Sequence, residues 1–235
     1  MGSERLPGKI LEDIAGQTML ARVVDRVSQS RLITQVVVAT TTSKTDDATA
    51  AAAAELGVGV TRGSEEDVLD RFHDAAELHG AETIVRVSAD SPFVDPAVCD
   101  QAIDSFLSAN PAVDYASNKL EPSFPLGLDV EVFSRDALER AWQESTEAFE
   151  RSHVTVYMYQ NPRLFRLLPV TTDRDLHSMR WTVDTPDDLE FARHVFERLG
   201  GRNDFGWLDV VALIEREPEL AAINSHLTPK HVTEG

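Results

Sequence analysis

The sequence has one cysteine, few aromatic residues and no long apolar run. Cys99 cannot form an internal disulfide bond, which favours a reducing compartment, and its apolar, helical surroundings indicate a small buried side chain. No apolar stretch approaches the roughly 20 residues that cross a bilayer, and the N-terminus lacks the charged-then-apolar pattern of a signal peptide. We therefore expect a cytoplasmic protein without a membrane-spanning segment.

Basic residues are also scarce, and lysine is the scarcer of the two types. The chain has 22 Lys and Arg against 40 Asp and Glu, a formal net charge of −18, and only four of the basic residues are lysines. Such a surface repels nucleic acid and anionic lipid, so we expect neither as a partner. An acidic, lysine-poor surface is also what a high-salt cytoplasm favours, because salt screens the self-repulsion.

What is present is a globular composition with alternating strands and helices. With 235 residues, 42% of them hydrophobic and 26% charged, the chain is long enough for one sizeable domain. Apolar residues switch between helical spacing, as from Met19 to Val27, and extended runs, as in Val36, Val37 and Val38. Short all-apolar strands between helices predict an α/β fold with a mostly parallel sheet and helices on both faces.

The pattern changes after residue 109. Strands are predicted at 114–118, 128–133, 164–170 and 179–184, and helices at 134–144, 150–160, 186–199 and 208–215. No linker divides the chain. We therefore expect a single domain over residues 1–235, with an insertion at about 115–170 that serves substrate or dimer contacts.

Cations are concentrated at the start of this acidic chain. Arg5 and Lys9 supply the positive charge that a triphosphate needs, and Gly2 and Gly8 allow the backbone to approach a polyanion closely. The alternative is a frayed terminus whose basic residues are incidental.

Two aspartates share one sequence context. Asp90 and Asp184 each follow an apolar segment and precede a turn with proline two residues on. The carboxyl ends of parallel strands meet at one edge of a sheet, and two carboxylates there can hold Mg²⁺. The alternative is that each aspartate only caps the helix that follows.

Two further polar pairs allow more than one interpretation. Asp129 and Glu131 lie on the same side of a predicted strand, where two carboxylates need water, a metal or a polar ligand. Asp70 and Arg71 lie within a predicted helix, so they are either a surface ion pair or part of a planar recognition site.

A series of motifs runs nearly end to end along the chain. It includes Gly-Ser-x-Arg-Leu-Pro-Gly-Lys at 2–9, Ser-Ala-Asp-Ser-Pro at 88–92 and Thr-Val-Asp-Thr-Pro at 182–186, with further segments at 62–71, 114–118, 124–133, 150–155 and 219–226. Together these motifs resemble the SpsF-like cytidylyltransferases of spore-coat polysaccharide synthesis. That group is related to the synthetases that make CMP-linked 3-deoxy-manno-octulosonate and CMP-sialic acids.

The resemblance implies a Rossmann-like fold of the nucleotide-diphospho-sugar transferase type and a role for each motif. Metal binding is implied for Asp90 and Asp184, and catalysis for Arg5 and Lys9. The implied nucleotide-binding residues are Gly2, Ser3, Arg5, Lys9, Gly63, Ser64, Asp70 and Arg71. The implied substrate-binding residues are Asn118, Gly127, Asp129, Glu131, Glu150, Arg151 and His153, although the last three are equally compatible with a solvated helix start.

The implied reaction is Mg²⁺-dependent transfer of CMP from CTP to a sugar, most simply a sugar acid, with release of pyrophosphate. The resemblance also implies a homodimer formed through the insertion, where Phe124, Phe133, Tyr157 and Tyr159 are numerous for an exposed excursion.

The sequence departs from the family pattern at its start. Relatives carry an apolar strand before the Gly-Ser loop, whereas this sequence begins with Met1 inside that motif, so we expect a first strand encoded upstream. Two rival interpretations stay open. The chain could be a nucleotide-sugar-dependent glycosyltransferase with a similar fold, or a non-catalytic remnant that lacks the first strand.

Overall fold

The computed structural model describes residues 5–228, and its strands form three small sheets. β1 (Asp13–Ile14) and β2 (Gln17–Thr18) form an antiparallel hairpin, and β3 (Val37–Thr41) and β4 (Gly59–Gly63) form a parallel pair. The largest sheet has the order β5-β7-β6-β8, comprising β5 (Thr83–Arg86), β6 (Tyr115–Ser117), β7 (Glu131–Ser134) and β8 (Leu167–Pro169).

The strand pairing is mixed rather than mostly parallel. β7 lies between β5 and β6 and runs antiparallel to both, while β6 and β8 are parallel. Within residues 5–228, β3 pairs only with β4 and β5 only with β7, so the β3–β4 pair is a separate sheet. The predicted α/β class is confirmed. Apart from the β1–β2 hairpin, the antiparallel pairs all involve β7, which lies in the segment predicted as an insertion.

Ten α-helices surround the sheets in the part of the chain that the structure describes. They are α1 (Met19–Val27), α2 (Asp47–Glu55), α3 (Val68–Leu78), α4 (Pro96–Ser108), α5 (Arg135–Glu144), α6 (Ala148–Ser152), α7 (Val156–Gln160), α8 (Pro186–Arg198), α9 (Trp207–Arg216) and α10 (Glu219–Ala222). N-terminal capping residues mark the start of several of these helices. Thr18 caps α1, Asp95 accepts two backbone N–H bonds at the start of α4, and Thr185 and Asp188 form a capping box on α8. No helix among residues 5–228 is both long and apolar enough to cross a membrane.

Two sequence predictions of secondary structure are wrong. The helix predicted at 150–160 is interrupted between α6 and α7, where Val154 has φ +60 and is fully buried. A β-branched residue in the left-handed region is strained, so the burial of its side chain outweighs the helical pattern there. The strand predicted at 179–184 forms only an isolated bridge between Leu126 and Arg180.

Aromatic rings form the centre of the main core. Phe93 is fully buried and packs against Trp181, Phe191, Phe196 and Phe205, with ring centroids 5.2–6.5 Å apart. Such tilted pairs add to the stabilisation that comes from apolar area alone. The core fixes the segment that carries Trp181, and this segment leads into one of the predicted site aspartates.

The insertion buries more of its aromatic residues than the sequence suggested. Phe124 is 5% exposed and Phe133 is fully buried, each packed within this chain. Tyr157 and Tyr159 are half-buried. The burial of Phe124 and Phe133 therefore requires no second copy, and this part of the argument for a dimer is wrong.

Candidate active site

The ammonium group of Lys9 joins the two predicted metal-binding aspartates. Its Nζ donates to Asp90 Oδ2 at 2.9 Å, to Asp184 Oδ1 at 2.8 Å and to the Val183 carbonyl at 2.8 Å. A lysine ammonium has three N–H donors, so these bonds use all of them. The structure therefore brings Asp90 and Asp184 to one shared cation, which is the ammonium of the chain itself.

A tight turn places Lys9 at this position. Gly8 has φ 76, a left-handed conformation that suits glycine, and it precedes the 3-10 turn Lys9–Leu11. Leu6 and Ile10 pack against the core on either side of this turn. Arg5 lies beside it, with its guanidinium 3.3 Å from Asp184 Oδ2. The predicted nucleotide residues Gly2 and Ser3 lie outside the described residues.

Backbone contacts bring the two aspartate segments together. The Val183 N–H donates to the Asp90 carbonyl at 2.8 Å, and the Thr182 hydroxyl approaches the same oxygen at 3.3 Å. The expected juxtaposition is therefore present, although residues 179–184 form no strand. Direct pairing between the two loops replaces the parallel strand ends that the sequence suggested.

A buried network holds Asp184 from its other side. Arg180, with a side chain only 6% exposed, donates to Asp184 Oδ2 at 2.8 Å and to both oxygens of the fully buried Asp188 at 2.8 and 3.0 Å. The Asn224 amide donates to Asp188 Oδ1 at 3.0 Å and to the Arg180 carbonyl at 3.1 Å. Charged hydrogen bonds in such a buried place are strong and directional. Asp184 thus presents Oδ1 to Lys9 while Arg180 keeps Oδ2.

The charges of this cluster stabilise one another. Burial alone would lower the pKa of Lys9, but Asp90 and Asp184 outweigh it and raise that pKa above its usual value. Burial alone would raise the pKa of Asp184, but Lys9 and Arg180 lower it overall. The lysine is therefore charged and Asp184 is ionised at neutral pH.

Asp129 and Glu131 lie in unlike surroundings. Glu131 is 2% exposed, forms an ion pair with Arg86 and accepts hydrogen bonds from the Tyr115 hydroxyl at 2.7 Å and the Thr155 hydroxyl at 2.5 Å. These partners outweigh its burial and lower the pKa of Glu131 to about 2. Asp129 has no hydrogen bond within the described residues, and burial raises its pKa to about 6.

Two other predicted sugar residues hold the backbone together. Asn118 is 3% exposed and bonds through both ends of its amide, since Nδ2 donates to the Leu128 carbonyl at 2.7 Å and Oδ1 accepts from the Val130 N–H at 2.9 Å. Gly127 has φ +103, and a Cβ there would lie 2.6 Å from the Thr182 nitrogen. Both residues place the loop that carries Asp129 against the segment that leads to Asp184.

The predicted nucleotide-binding residues between 63 and 71 separate into two groups. Gly63, Ser64 and Arg71 lie together, because the Arg71 guanidinium donates to the Ser64 carbonyl at 2.6 Å and a Cβ on Gly63 would lie 3.2 Å from the Arg71 side chain. Asp70 instead accepts from the indole N–H of Trp142 at 2.8 Å. The structure thus gives Asp70 a contact between α3 and α5, and its role toward a nucleotide stays a prediction.

The predicted residues at 150–153 contact neighbouring helices. The Arg151 guanidinium donates to Asp67 at 2.5 Å and to the backbone carbonyls of Trp142 and Ser145. These bonds tie α6 to the N-terminal cap of α3 and to the C-terminal end of α5. His153 contacts the hydroxyl of the preceding serine at 2.8 Å, and Glu150 is half-buried. None of these contacts tests the predicted role at the sugar.

Comparison with known proteins decides the family. A family model described as Cytidylyltransferase matches residues 1–206, which includes Lys9, Asp90 and Asp184. The chain belongs to the cytidylyltransferase family.

Relatives of this cytidylyltransferase match over most of their length. The spore coat polysaccharide biosynthesis protein SpsF of Bacillus subtilis is 32% identical over 94% of this chain and 93% of its own. A 3-deoxy-manno-octulosonate cytidylyltransferase from Trichlorobacter lovleyi is 34% identical, over 82% of this chain and 93% of its own. The solved structure of a cytidylyltransferase from Leptospira borgpetersenii has a TM-score of 0.90 and 31% identity, covering 98% of this chain and 95% of that one. The resemblance to SpsF and the Rossmann-like fold are thereby confirmed.

The donor set of this cytidylyltransferase fits a hard divalent cation that is shared with phosphates. Asp90 and Asp184 already face one positive charge, and Mg²⁺ is commonly held by one or two carboxylates together with substrate phosphates. Within residues 5–228, no group of three or more His, Cys, Asp or Glu side chains could hold a metal by itself. The protein thus offers part of a coordination shell, which a nucleotide could complete.

Sequence reasoning missed the network behind Asp184. Neither Asp188 nor Arg180 was predicted as a site residue, although Asp188 also forms the capping box at the start of α8. In the sequence, Arg180 lies four residues before Asp184, which follows an apolar segment, and eight residues before Asp188. That spacing acquires meaning only once the turn at Asp184 folds back on Arg180.

Proposed function

We propose that this cytidylyltransferase transfers CMP from CTP to a sugar acid and releases pyrophosphate, in the biosynthesis of a surface polysaccharide or glycan. The convergence of Lys9, Asp90 and Asp184 carries the proposal, because this family member places a cation and two carboxylates at one point. The names of its relatives, a spore coat polysaccharide biosynthesis protein and 3-deoxy-manno-octulosonate cytidylyltransferases, support the substrate class.

In the proposed reaction, a sugar hydroxyl oxygen forms a bond to the α-phosphorus of CTP. The bond from that phosphorus to the β-phosphate oxygen breaks, pyrophosphate leaves, and the hydroxyl proton passes to water. Mg²⁺, when held by Asp90 and Asp184, would offset the charge of the phosphates. Arg5 and Lys9 bring positive charge to the same place, so the chain acts chiefly by positioning and charge stabilisation.

The region of Asp129 and Glu131 is proposed as the sugar side of the site. Asp129 is a half-buried carboxylate without a hydrogen-bond partner among the described residues, so a sugar hydroxyl there would satisfy it. Lys119 is exposed, and its charge acts on both Asp129 and Glu131. An exposed cation beside a hydroxyl-binding carboxylate suits a sugar that carries its own carboxylate.

The test is pyrophosphate release from CTP with a panel of sugar acids and neutral sugars, in Mg²⁺ and at low and high salt. We expect release with CTP and a sugar acid, and ³¹P NMR should show the CMP-sugar ester. Asp90→Asn should abolish release, while Asp104→Asn, on the exposed face of α4, should not change it. No release from CTP with any sugar, or equal rates in the Asp90 variant and the wild type, would refute the proposal.

We also propose a homodimer formed through residues 115–170. Phe124 and Phe133 are buried within the chain. Of the four aromatic residues expected at a dimer contact, Tyr157 and Tyr159 are half-buried and can still contact a partner. Light scattering at low micromolar concentration and high salt should give twice the mass of the 26.0 kDa chain. A monomer throughout would refute it.

A further inference from the structure

We propose that Lys9 is a tethered counter-ion, which occupies the cation position between Asp90 and Asp184 and yields it to a divalent cation only when nucleotide phosphates offer its ammonium new acceptors. The inference rests on the proposed function, because it assumes that a divalent cation and a nucleotide share this site. It adds that binding of the two is coupled through one side chain.

The first observation is that the Lys9 ammonium is saturated. Its three donors are used by Asp90, Asp184 and the Val183 carbonyl at 2.8–2.9 Å, and its side chain is 11% exposed. While these bonds hold, Lys9 has no donor for a phosphate. A contact between Lys9 and a triphosphate therefore requires Lys9 to break at least one of these three hydrogen bonds, two of which are to the carboxylates.

The second observation is that Lys9 and a divalent cation compete for the same oxygens. Mg²⁺ binds oxygen at about 2.0–2.1 Å. An ion at Asp90 Oδ2 or Asp184 Oδ1 would lie beside the Lys9 ammonium, which is within 2.9 Å of both oxygens. Two carboxylates balance one divalent charge but not a divalent ion and a lysine together, so like-charge repulsion opposes joint occupancy.

The third observation is that Asp184 has support that does not depend on Lys9. Arg180 holds Asp184 Oδ2 at 2.8 Å and is anchored in turn by the buried Asp188. Asp184 can therefore keep its position when Lys9 departs. Lys9 belongs to a three-residue 3-10 turn, so its side chain can swing without disturbing a long element.

A coupling between the two ligands follows. Without nucleotide, a divalent ion must displace a well-bonded ammonium that gains no new partner. With nucleotide, the phosphates accept from Lys9 and ligate the ion. By thermodynamic reciprocity, nucleotide raises the affinity for the ion by the same factor by which the ion raises the affinity for nucleotide.

The first test measures Mn²⁺ binding by electron paramagnetic resonance, with and without CTP, in the wild type and in Lys9→Met. We expect the variant to bind Mn²⁺ at least tenfold more tightly than the wild type without CTP, and CTP to enhance binding less in the variant. Lys44→Met, which removes the same charge from an exposed position, should match the wild type. Asp90→Asn combined with Lys9→Met should lose the gain, which would place the ion at this pair of carboxylates.

A second test uses the unaltered protein and so does not depend on the folding of a variant. With ¹⁵N-labelled lysine, the four lysines of the chain give few ammonium signals, and Lys9→Arg assigns the signal of Lys9. We expect Mg²⁺ alone to leave that signal unchanged and Mg²⁺ with CTP to shift it.

The outcomes separate this inference from the proposed function. Suppose that the wild type releases pyrophosphate. The tethered counter-ion alone is then overturned if Mg²⁺ with CTP leaves the Lys9 signal unchanged, or if Lys9→Met binds Mn²⁺ no more tightly than the wild type. If the wild type releases no pyrophosphate from CTP, the proposed function is overturned. The Mn²⁺ binding measurements still report competition between Lys9 and the ion in that case.

Discussion

Replacing Asp129 by asparagine should stabilise the protein at neutral pH. Asp129 is held in a place that disfavours its charge, because burial raises its pKa from 3.8 to about 6 and Lys119 only partly opposes this. A difference of that size corresponds to about 3 kcal/mol of free energy that favours the protonated form. Asparagine has nearly the same shape and no charge, so it removes this cost.

The sign of the pH dependence follows from the raised pKa. Between pH 4 and 6 the folded protein keeps a proton on Asp129 that the unfolded chain has released, so stability falls as pH rises through this range. Above the folded pKa the full cost of about 3 kcal/mol is present. The advantage of Asp129→Asn should therefore be about 3 kcal/mol at pH 8 and about 1.5 kcal/mol at pH 5.

Glu131 provides a matched control of opposite sign. Arg86 and the two hydroxyl donors outweigh burial and lower its pKa from 4.5 to about 2, so its charged form stabilises the fold. This contribution is complete above pH 4.5 and is lost only as pH falls toward 2. Glu131→Gln should therefore destabilise by about 3 kcal/mol, with little change between pH 5 and 8.

The assay is urea unfolding of the wild type and both variants at pH 5, 6, 7 and 8 in one salt concentration, followed by tryptophan fluorescence. Differences between variant and wild type cancel the titration of all other groups. Equal stability of Asp129→Asn and the wild type, or an advantage independent of pH, would show that the Asp129 charge is compensated in solution and would refute this reasoning. If Asp129 binds the sugar, the same variant should lose activity while it gains stability.

Three further predictions concern residues around the site. Gly127→Ala should lower the free energy of unfolding by about 3 kcal/mol and remove most of the activity, because φ is +103 and the new Cβ would lie 2.6 Å from the Thr182 nitrogen. Thermal unfolding and pyrophosphate release measure these effects, and a near-normal Tm would contradict the prediction. Asp70→Asn keeps an acceptor for the Trp142 indole, so its stability should match the wild type, whereas a raised KM for CTP would assign Asp70 to the nucleotide. Asn224→Ala removes both hydrogen bonds that the Asn224 amide donates behind the site and should lower the free energy of unfolding by about 1–3 kcal/mol, measured by urea unfolding. An unchanged stability would show that water replaces the amide.

Much of the secondary structure follows from local sequence. The helix α1 ends where its apolar spacing ends, and Thr18 caps its start. Gly57, with φ 74, follows the C-terminal end of α2, where a glycine in the left-handed region commonly ends a helix. These features depend on neighbours a few residues apart, whose interactions the order of residues specifies. The break at Val154 is the counterexample, because a core distant in sequence dictates it.

Local sequence predicted only part of the chemistry of the site. The sequence supplied the cations at the N-terminus and the matched contexts of Asp90 and Asp184, together with the family to which they belong. It did not show that Lys9 bonds to both aspartates, 81 and 175 residues away along the chain. Which partner a charge meets at such separation depends on how loops pack, not on any local period.

Asp129 and Glu131 show this limit most clearly. The alternation of a strand places both carboxylates on one side, and the sequence treats them alike. Only the fold brings Arg86, Tyr115 and Thr155 to Glu131 and leaves Asp129 without a hydrogen bond among the described residues. A carboxylate's pKa depends on the charges and donors within a few ångströms of it, and tertiary packing decides which groups those are.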